Sequence, residues 1–473
     1  MIARMRRASL SLLVPLLVAP LCAQKPAPLD KALRARIDDL ARRFWIARPS
    51  TRFVDWDSKQ RDALFAEAAK IDLPEGSLAE VVAAVWAPVQ ELGPGVPKKL
   101  DKKGKPERPK WLPPVGKPLK KQRGGSKVTL DSPYGEIWFY LDDVGPDKGL
   151  ILGLHGGGED AGSADEPRDT WQSPDCIGMY PQGIHLVHDT WNTVHGERFA
   201  LTLIEIAKAQ FGVDPERVYS MGFSMGGTGS WFLAGRHPDL LGGAAPCAGV
   251  LMASPKSQLA TKEEVQSVQH GLVPNVRNLA MYYYIGLADQ NCMPGSYLYV
   301  ADMLDALRAA DPGGYANIRF RTYEGLAHAQ PRGEPKALLE WLPTRKRDSF
   351  PQTVVWEYAA DPYPQRAGDD PVGRLKQNAV YWLGCRDPID AQRLRATRKG
   401  NEITLDVQRR NDGAKGITLW LNPSMIDVAQ DVVVKLGDEE VFRGKPHASL
   451  DCVMESMDQR VDRVMVFDRR IEL

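Results

Sequence analysis

Cysteine is scarce in this chain of 473 residues, with six in all. Cys22 falls in the leader described below, which leaves Cys176, Cys247, Cys292, Cys385 and Cys452, an odd number with no metal-ligand spacing. That argues against a disulfide framework and against a cysteine-built metal site. Cys247 and Cys292 both fall just past the expected ends of neighbouring strands, so one bridge there stays open, with buried free thiols the expectation. Neither sign of charge is in excess: 61 Lys and Arg stand against 60 Asp and Glu, a formal net charge of +1. Such a balance points neither to nucleic acid nor to an anionic membrane. Long apolar runs are missing too. Leu10 to Pro20 is apolar, follows the basic stretch Met1 to Arg7 and leads to Leu21-Cys22-Ala23. This is the make-up of a secretory signal peptide over residues 1–23, too short to span a bilayer and cleaved after Ala23. Cys22 is not expected to carry lipid, because Leu21 stands where such sites take a small residue. A secreted or periplasmic location follows.

Hydrophobic content of 43% and charged content of 26% are those of a soluble globular protein, and the length suggests two to three domains. Leu29, Leu33, Ile37, Leu40 and Phe44 recur at helical spacing. Ser77-Leu78-Ala79-Glu80 is a capping-box signature ahead of Val81, Val82, Val85 and Trp86. Residues 24–92 therefore form a helical region with no sign of chemistry. Residues 93–126 are rich in Pro, Gly and Lys, as in Lys117-Pro118-Leu119-Lys120-Lys121, and read as an extended, solvated linker. Contact with an acidic polysaccharide is the sharper alternative.

From Val128 short strands alternate with helices, which implies βαβ units. Strands are expected near 128–130, 136–141, 149–154, 176–180, 217–221, 243–246, 279–285 and 318–323, and helices near 197–210, 225–235, 296–310 and 335–342. Residues 127–346 thus predict an α/β domain, a mainly parallel sheet with helices on both faces. Leu251 to Asn278 is long for a connection, a surface insert or part of a lid. Over residues 350–473 strand-like runs follow one another, with a hairpin turn at Lys399-Gly400-Asn401, a helix near 448–458 and a last strand near 463–468. This predicts a mostly β accessory domain.

Within the α/β region, Gly222-Phe223-Ser224-Met225-Gly226 follows a strand-like run and precedes a helical one. That context turns a G-x-S-x-G pentapeptide into a nucleophile elbow, in which Gly222 and Gly226 permit the tight turn and Ser224 is the nucleophile. In a chain with 42 glycines the pentapeptide alone proves little. An α/β-hydrolase reading makes three further demands. An oxyanion loop should follow an earlier strand, and His155-Gly156-Gly157-Gly158 follows Gly149 to Leu154. Backbone N–H groups of Gly157 or Gly158, with that of Met225, are the candidate oxyanion donors. An acid should follow a later strand, and Asp289 stands just past Met281 to Ile285. A His should follow the next strand: His328, one of only eight in the chain, follows Ile318 to Tyr323. The order Ser224, Asp289, His328 is the order of this fold, and its acyl-transfer chemistry calls for no cofactor and no metal.

Asp214-Pro215-Glu216-Arg217-Val218-Tyr219 ahead of the elbow, together with His155-Gly156-Gly157-Gly158 and Tyr180-Pro181-Gln182-Gly183, resembles secreted α/β-hydrolases grouped with polyhydroxybutyrate depolymerases and with feruloyl and acetylxylan esterases. The resemblance implies hydrolysis of an ester substrate, a polymer included, by Ser224, His328 and Asp289. Gly286-Leu287-Ala288-Asp289 lacks the His of the family's His-Gly-x-x-Asp. Leu419-Trp420-Leu421 and Glu440-Val441-Phe442-Arg443-Gly444 look like the β domain appended to some large bacterial secreted esterases. Two readings compete with a serine esterase: a serine peptidase of the prolyl-oligopeptidase type, and a non-catalytic glycan-binding protein. Residues 26–92 show no propeller repeats, which weighs against the first. Trp171 and Trp191 are expected to pack rather than to stack on a ligand.

Overall fold

The computed structural model describes residues 29–98, 107–115, 126–157, 162–184, 190–251, 272–292, 294–359, 363 and 372–473. The expected signal peptide, Gly158 and residues 252–271 of the long insert lie outside them.

The N-terminal region is helical: α1 (Lys31–Ala47), α2 (Ser58–Ala68), α3 (Leu78–Trp86) and α4 (Val89–Leu92). Asp30 caps α1 by accepting from the N–H groups of Ala32 and Leu33. The α/β region runs β1 (Ser126–Ser132), β2 (Gly135–Asp142), β3 (Gly149–Leu154), α5 (Asp165–Thr170), β4 (Cys176–Pro181), α6 (Val194–Gln210), β5 (Val218–Phe223), α7 (Met225–Arg236), β6 (Gly243–Cys247), β7 (Ala280–Gly286), α8 (Gly295–Ala310), β8 (Ile318–Tyr323) and α9 (Glu334–Trp341). Its eight strands lie in the order β1-β2-β4-β3-β5-β6-β7-β8. The β1/β2 and β2/β4 pairs are antiparallel and the rest parallel. This is the α/β-hydrolase arrangement. Strands β3 to β7 are buried along their whole length, as parallel strands covered on both faces must be.

Among the described residues, the C-terminal region holds nine strands in two sheets: β9 (Thr353–Glu357), β10 (Ala379–Val380), β11 (Leu383–Cys385), β12 (Arg393–Lys399), β13 (Glu402–Gln408), β14 (Ile417–Leu421), β15 (Val432–Leu436), β16 (Glu439–Gly444) and β17 (Arg469–Glu472). A core of its own includes Trp356, Trp382, Leu405 and Leu419. The hairpin at Gly400 forms as expected, with Lys399 opposite Glu402 and Gly400 at φ +59°. The last strand does not sit at 463–468, where Val464, Val466 and Phe467 suggested it. Val461 is left-handed at φ +46°, and Asp462 Oδ1 accepts from the N–H groups of Val464 and Met465, so this stretch turns and pairing begins at Arg469.

The helix α10 (Leu450–Arg460) belongs elsewhere. Leu450, Val453, Met454 and Met457 share one apolar face, and it packs among Ile37, Leu40 and Phe44 of α1. The ends of the chain thus build one core together. The 93–126 stretch is not solvated throughout either, because some of its apolar residues find cover: Leu112 is buried in the main core and Trp111 stacks on Phe211, while Val115 stays exposed.

Every residue of α6 is buried, although it carries Glu197, Arg198, Glu205 and Lys208. A helix with no solvated face must satisfy its charges internally. Glu205 binds Arg48 at 2.9 Å, Arg198 binds Asp55 at 3.1 Å, and Lys208 lies 3.7 Å from Asp462. Glu197 accepts from Arg236 Nε at 2.8 Å, from His237 Nε2 at 2.7 Å and from the Tyr363 hydroxyl. Burial opposes its charge, but Arg236, His237 and Tyr363 outweigh burial and hold the carboxyl down at about 2. A carboxylate with a lowered folded pKa stabilises above its unfolded value, and that stability is lost as pH falls towards the folded one. Urea midpoints are therefore expected to fall between about pH 4.5 and pH 2, and Glu197→Ala should cost about 3–5 kcal/mol at pH 7. A variant as stable as wild type in urea melts at both pH values would contradict this.

Candidate active site

Ser224 caps the turn between β5 and α7 with φ +58° and ψ −124°, a conformation that few residues other than glycine adopt. Its surroundings enforce it. The Ser224 N–H donates to the Cys247 carbonyl at 3.0 Å, which ties the turn to the end of β6. A Cβ on Gly222 would stand 2.0 Å from the Gly226 oxygen, and one on Gly226 would stand 2.0 Å from the Leu154 oxygen. Strand, turn and helix therefore touch through backbone, and both positions require glycine.

His328 follows β8 and Asp289 follows β7, so all three side chains gather at the carboxyl ends of neighbouring parallel strands. His328 Nε2 lies 2.9 Å from Ser224 Oγ, and Nδ1 lies 2.8 Å from Asp289 Oδ2. A carboxylate can only accept, so Nδ1 carries the proton and Nε2 accepts from the hydroxyl. Asp289 is 3% exposed, and its Oδ1 accepts from the N–H groups of Asn291 at 2.9 Å and Cys292 at 3.0 Å. The loops bearing the acid and the base are joined: the Ala288 N–H donates to the Leu326 carbonyl at 3.0 Å. The Phe223 ring lies 4.9 Å from the His328 ring and backs it.

Two neighbours carried no signal in the sequence. The Cys292 thiol lies beside Ser224, and burial with the nearby Asp289 pushes its pKa up to about 12. It is therefore an inert neutral group rather than a rival nucleophile. All five described cysteines are free and buried, Cys247 and Cys292 among them. Glu166, on α5, accepts from the Gly156 N–H at 2.8 Å.

The glycine loop after β3 lies against the elbow. A Cβ on Gly157 would stand 2.7 Å from Met225 Cε, and Met225 opens α7, whose first-turn N–H groups have no partner within the helix. His155 is 1% exposed and anchors the loop. Its Nε2 accepts from the Gly183 N–H at 2.9 Å, so Nδ1 is the protonated nitrogen and donates to the Gly156 carbonyl at 2.6 Å. Burial pushes its pKa down, in keeping with a neutral ring. The two motifs His155-Gly156-Gly157-Gly158 and Tyr180-Pro181-Gln182-Gly183 are thus bound to each other through this imidazole. Trp191, buried as expected, donates its indole N–H to the His155 carbonyl at 2.9 Å.

Residues 160–320 match the model of the Esterase family, a range that holds Ser224 and Asp289 and ends before His328. No curated protein matches the chain. Among solved structures, a thermostable esterase is 19% identical over 47% of this chain and 63% of its own, with a TM-score of 0.35. An esterase from Thermogutta terrifontis is 18% identical over 47% of this chain and 92% of its own, with a TM-score of 0.32. The acylaminoacyl peptidase of Pyrococcus horikoshii is 14% identical over 47% of this chain and 42% of its own, with a TM-score of 0.37. The chain thus spans less than two thirds of the length of the first and third of these. Among the described residues no helix is long and apolar enough to cross a membrane.

Proposed function

We propose that this protein is a secreted serine esterase. The observation that carries the reading is the continuous hydrogen-bonded series Ser224–His328–Asp289, at 2.9 and 2.8 Å. His328 Nε2 takes the hydroxyl proton as Ser224 Oγ attacks the acyl carbonyl, and Asp289 stabilises the imidazolium that forms. Negative charge on the former carbonyl oxygen is met by backbone N–H groups of Met225 and of Gly157 or Gly158. His328 then gives the proton to the departing alcohol oxygen, leaving an acyl-Ser224 ester. Water, deprotonated by the same imidazole, releases the acid and restores the hydroxyl.

The Esterase match supports an ester over an amide substrate. The motif resemblance adds the finer proposal of an acyl group carried by a polysaccharide or polyester, and the leader adds export. Turnover of p-nitrophenyl acetate and butyrate by the full chain, with a Ser224→Ala control, tests the reaction class. Absence of Ser224-dependent hydrolysis on any ester would sink it. Feruloyl, acetyl and hydroxyalkanoate esters compared by kcat/KM then identify the acyl group.

A further inference from the structure

We infer that Glu166 is a positioning residue for the oxyanion loop, acting through the Gly156 N–H; the inference rests on the esterase reading above. Two successive peptide groups are held there. The one between His155 and Gly156 is held by its N–H, which donates to Glu166 Oε2 at 2.8 Å. The one between Gly156 and Gly157 is held by its carbonyl, which accepts from His155 Nδ1 at 2.6 Å. A trans peptide points its C=O and N–H in opposite directions, so fixing the Gly156 carbonyl aims the Gly157 N–H the other way. With one clamp the glycine loop could still rotate about Gly156. With both, the φ and ψ of Gly156 are set, and with them the direction of the Gly157 donor.

The support for Glu166 is rigid. Ala164 N–H donates to Gln182 Oε1 at 3.0 Å, and the Thr170 hydroxyl returns to the Glu166 carbonyl at 2.8 Å. Arg168, two residues on, grips both oxygens of Asp142 at 3.0 and 3.1 Å. The carboxylate also stands beside the reaction centre: a Cβ on Gly156 would lie 3.1 Å from Glu166 Oε2 and 3.5 Å from Ser224 Cβ. Burial raises its pKa, against the Gly156 N–H and the nearby His328. A half-buried carboxylate spent on one backbone N–H next to a nucleophile is costly unless the loop it holds matters to the transition state.

Glu166→Ala and Glu166→Met, the second of which keeps the bulk and deletes the acceptor, are expected to lower kcat on p-nitrophenyl acetate by on the order of 10²-fold, the scale of a misplaced catalytic group. KM should change little. Affinity for a boronic acid that mimics the tetrahedral intermediate should fall by the same factor as kcat. Glu166→Gln, whose amide oxygen still accepts, should recover most of the activity. The role is overturned if the Met variant keeps wild-type kcat, if the loss falls in KM, or if Gln is as impaired as Met. Loss of Ser224 dependence in the wild-type enzyme would instead overturn the esterase reading itself.

Discussion

Ser224→Ala is expected to lower kcat on p-nitrophenyl acetate by about 10⁶-fold, the loss seen when a triad nucleophile is removed. The covalent step vanishes with Oγ, because the neighbouring Cys292 thiol is buried and holds its proton with a pKa near 12. What survives is water attack assisted by the donors of the elbow and glycine loop, about 10³–10⁴ above the uncatalysed rate. Stability should scarcely change. Alanine inherits the same strained φ of +58°, and the Ser224 N–H still reaches the Cys247 carbonyl. Stopped-flow traces should show a burst in wild type and none in the variant. A fluorophosphonate probe should add one mass adduct to wild type and none to Ser224→Ala. A variant that retained the burst would move the nucleophile elsewhere.

The chemistry-bearing residues were legible because each stands at a place the fold dictates, one short loop beyond a buried strand. The β-branched, aromatic and apolar content of β5, β7 and β8 marks them as strands, and Ser224, Asp289 and His328 are the first Ser, Asp and His past them. Their approach to within hydrogen-bond distance needed no side-chain detail to anticipate. Glu166 was not legible for the opposite reason. It lies on α5, a six-residue helix with a single buried residue, Pro167, so no periodicity marks it. Its contact with Gly156 also depends on the chain folding back after the glycine loop. The charged residues of α6 give no local sign of their burial either. On an isolated helix they describe a solvated face, but partners from elsewhere in the chain, Arg48 after α1, Arg236 at the end of α7 and Asp462 after α10 among them, meet these charges inside the fold. Partners so far apart in sequence leave no local signature, which is also why the apolar face of α10 gave no hint that it completes the N-terminal core. The run after α10 shows the limit of pattern itself: Val464 to Phe467 is an unbroken apolar run of strand-like composition, but the caps of Asp462 decide the backbone first.

Asp289→Asn is expected to lower kcat by about 10⁴-fold while the protein folds as well as wild type, the effect of forcing the wrong histidine tautomer. The structure gives the amide no harmless orientation. Asp289 Oδ1 accepts two backbone N–H groups, from Asn291 and Cys292, so the amide nitrogen cannot take that place without setting donor against donor. The amide oxygen therefore stays with the loop, and the amide NH₂ faces His328. There it must donate to Nδ1, which drives the imidazole proton to Nε2, 2.9 Å from Ser224 Oγ. The ring then meets the hydroxyl as a donor and cannot take its proton. Asp289→Ala leaves Nδ1 without this constraint, so the ring can still reach the productive tautomer part of the time, and a smaller loss than in Asn is expected. Steady-state kinetics at neutral pH on the Asn and Ala variants, with urea melts to confirm folding, measure the difference directly. An Asn variant within tenfold of wild type, or an Ala variant worse than Asn, would show that another group orients His328.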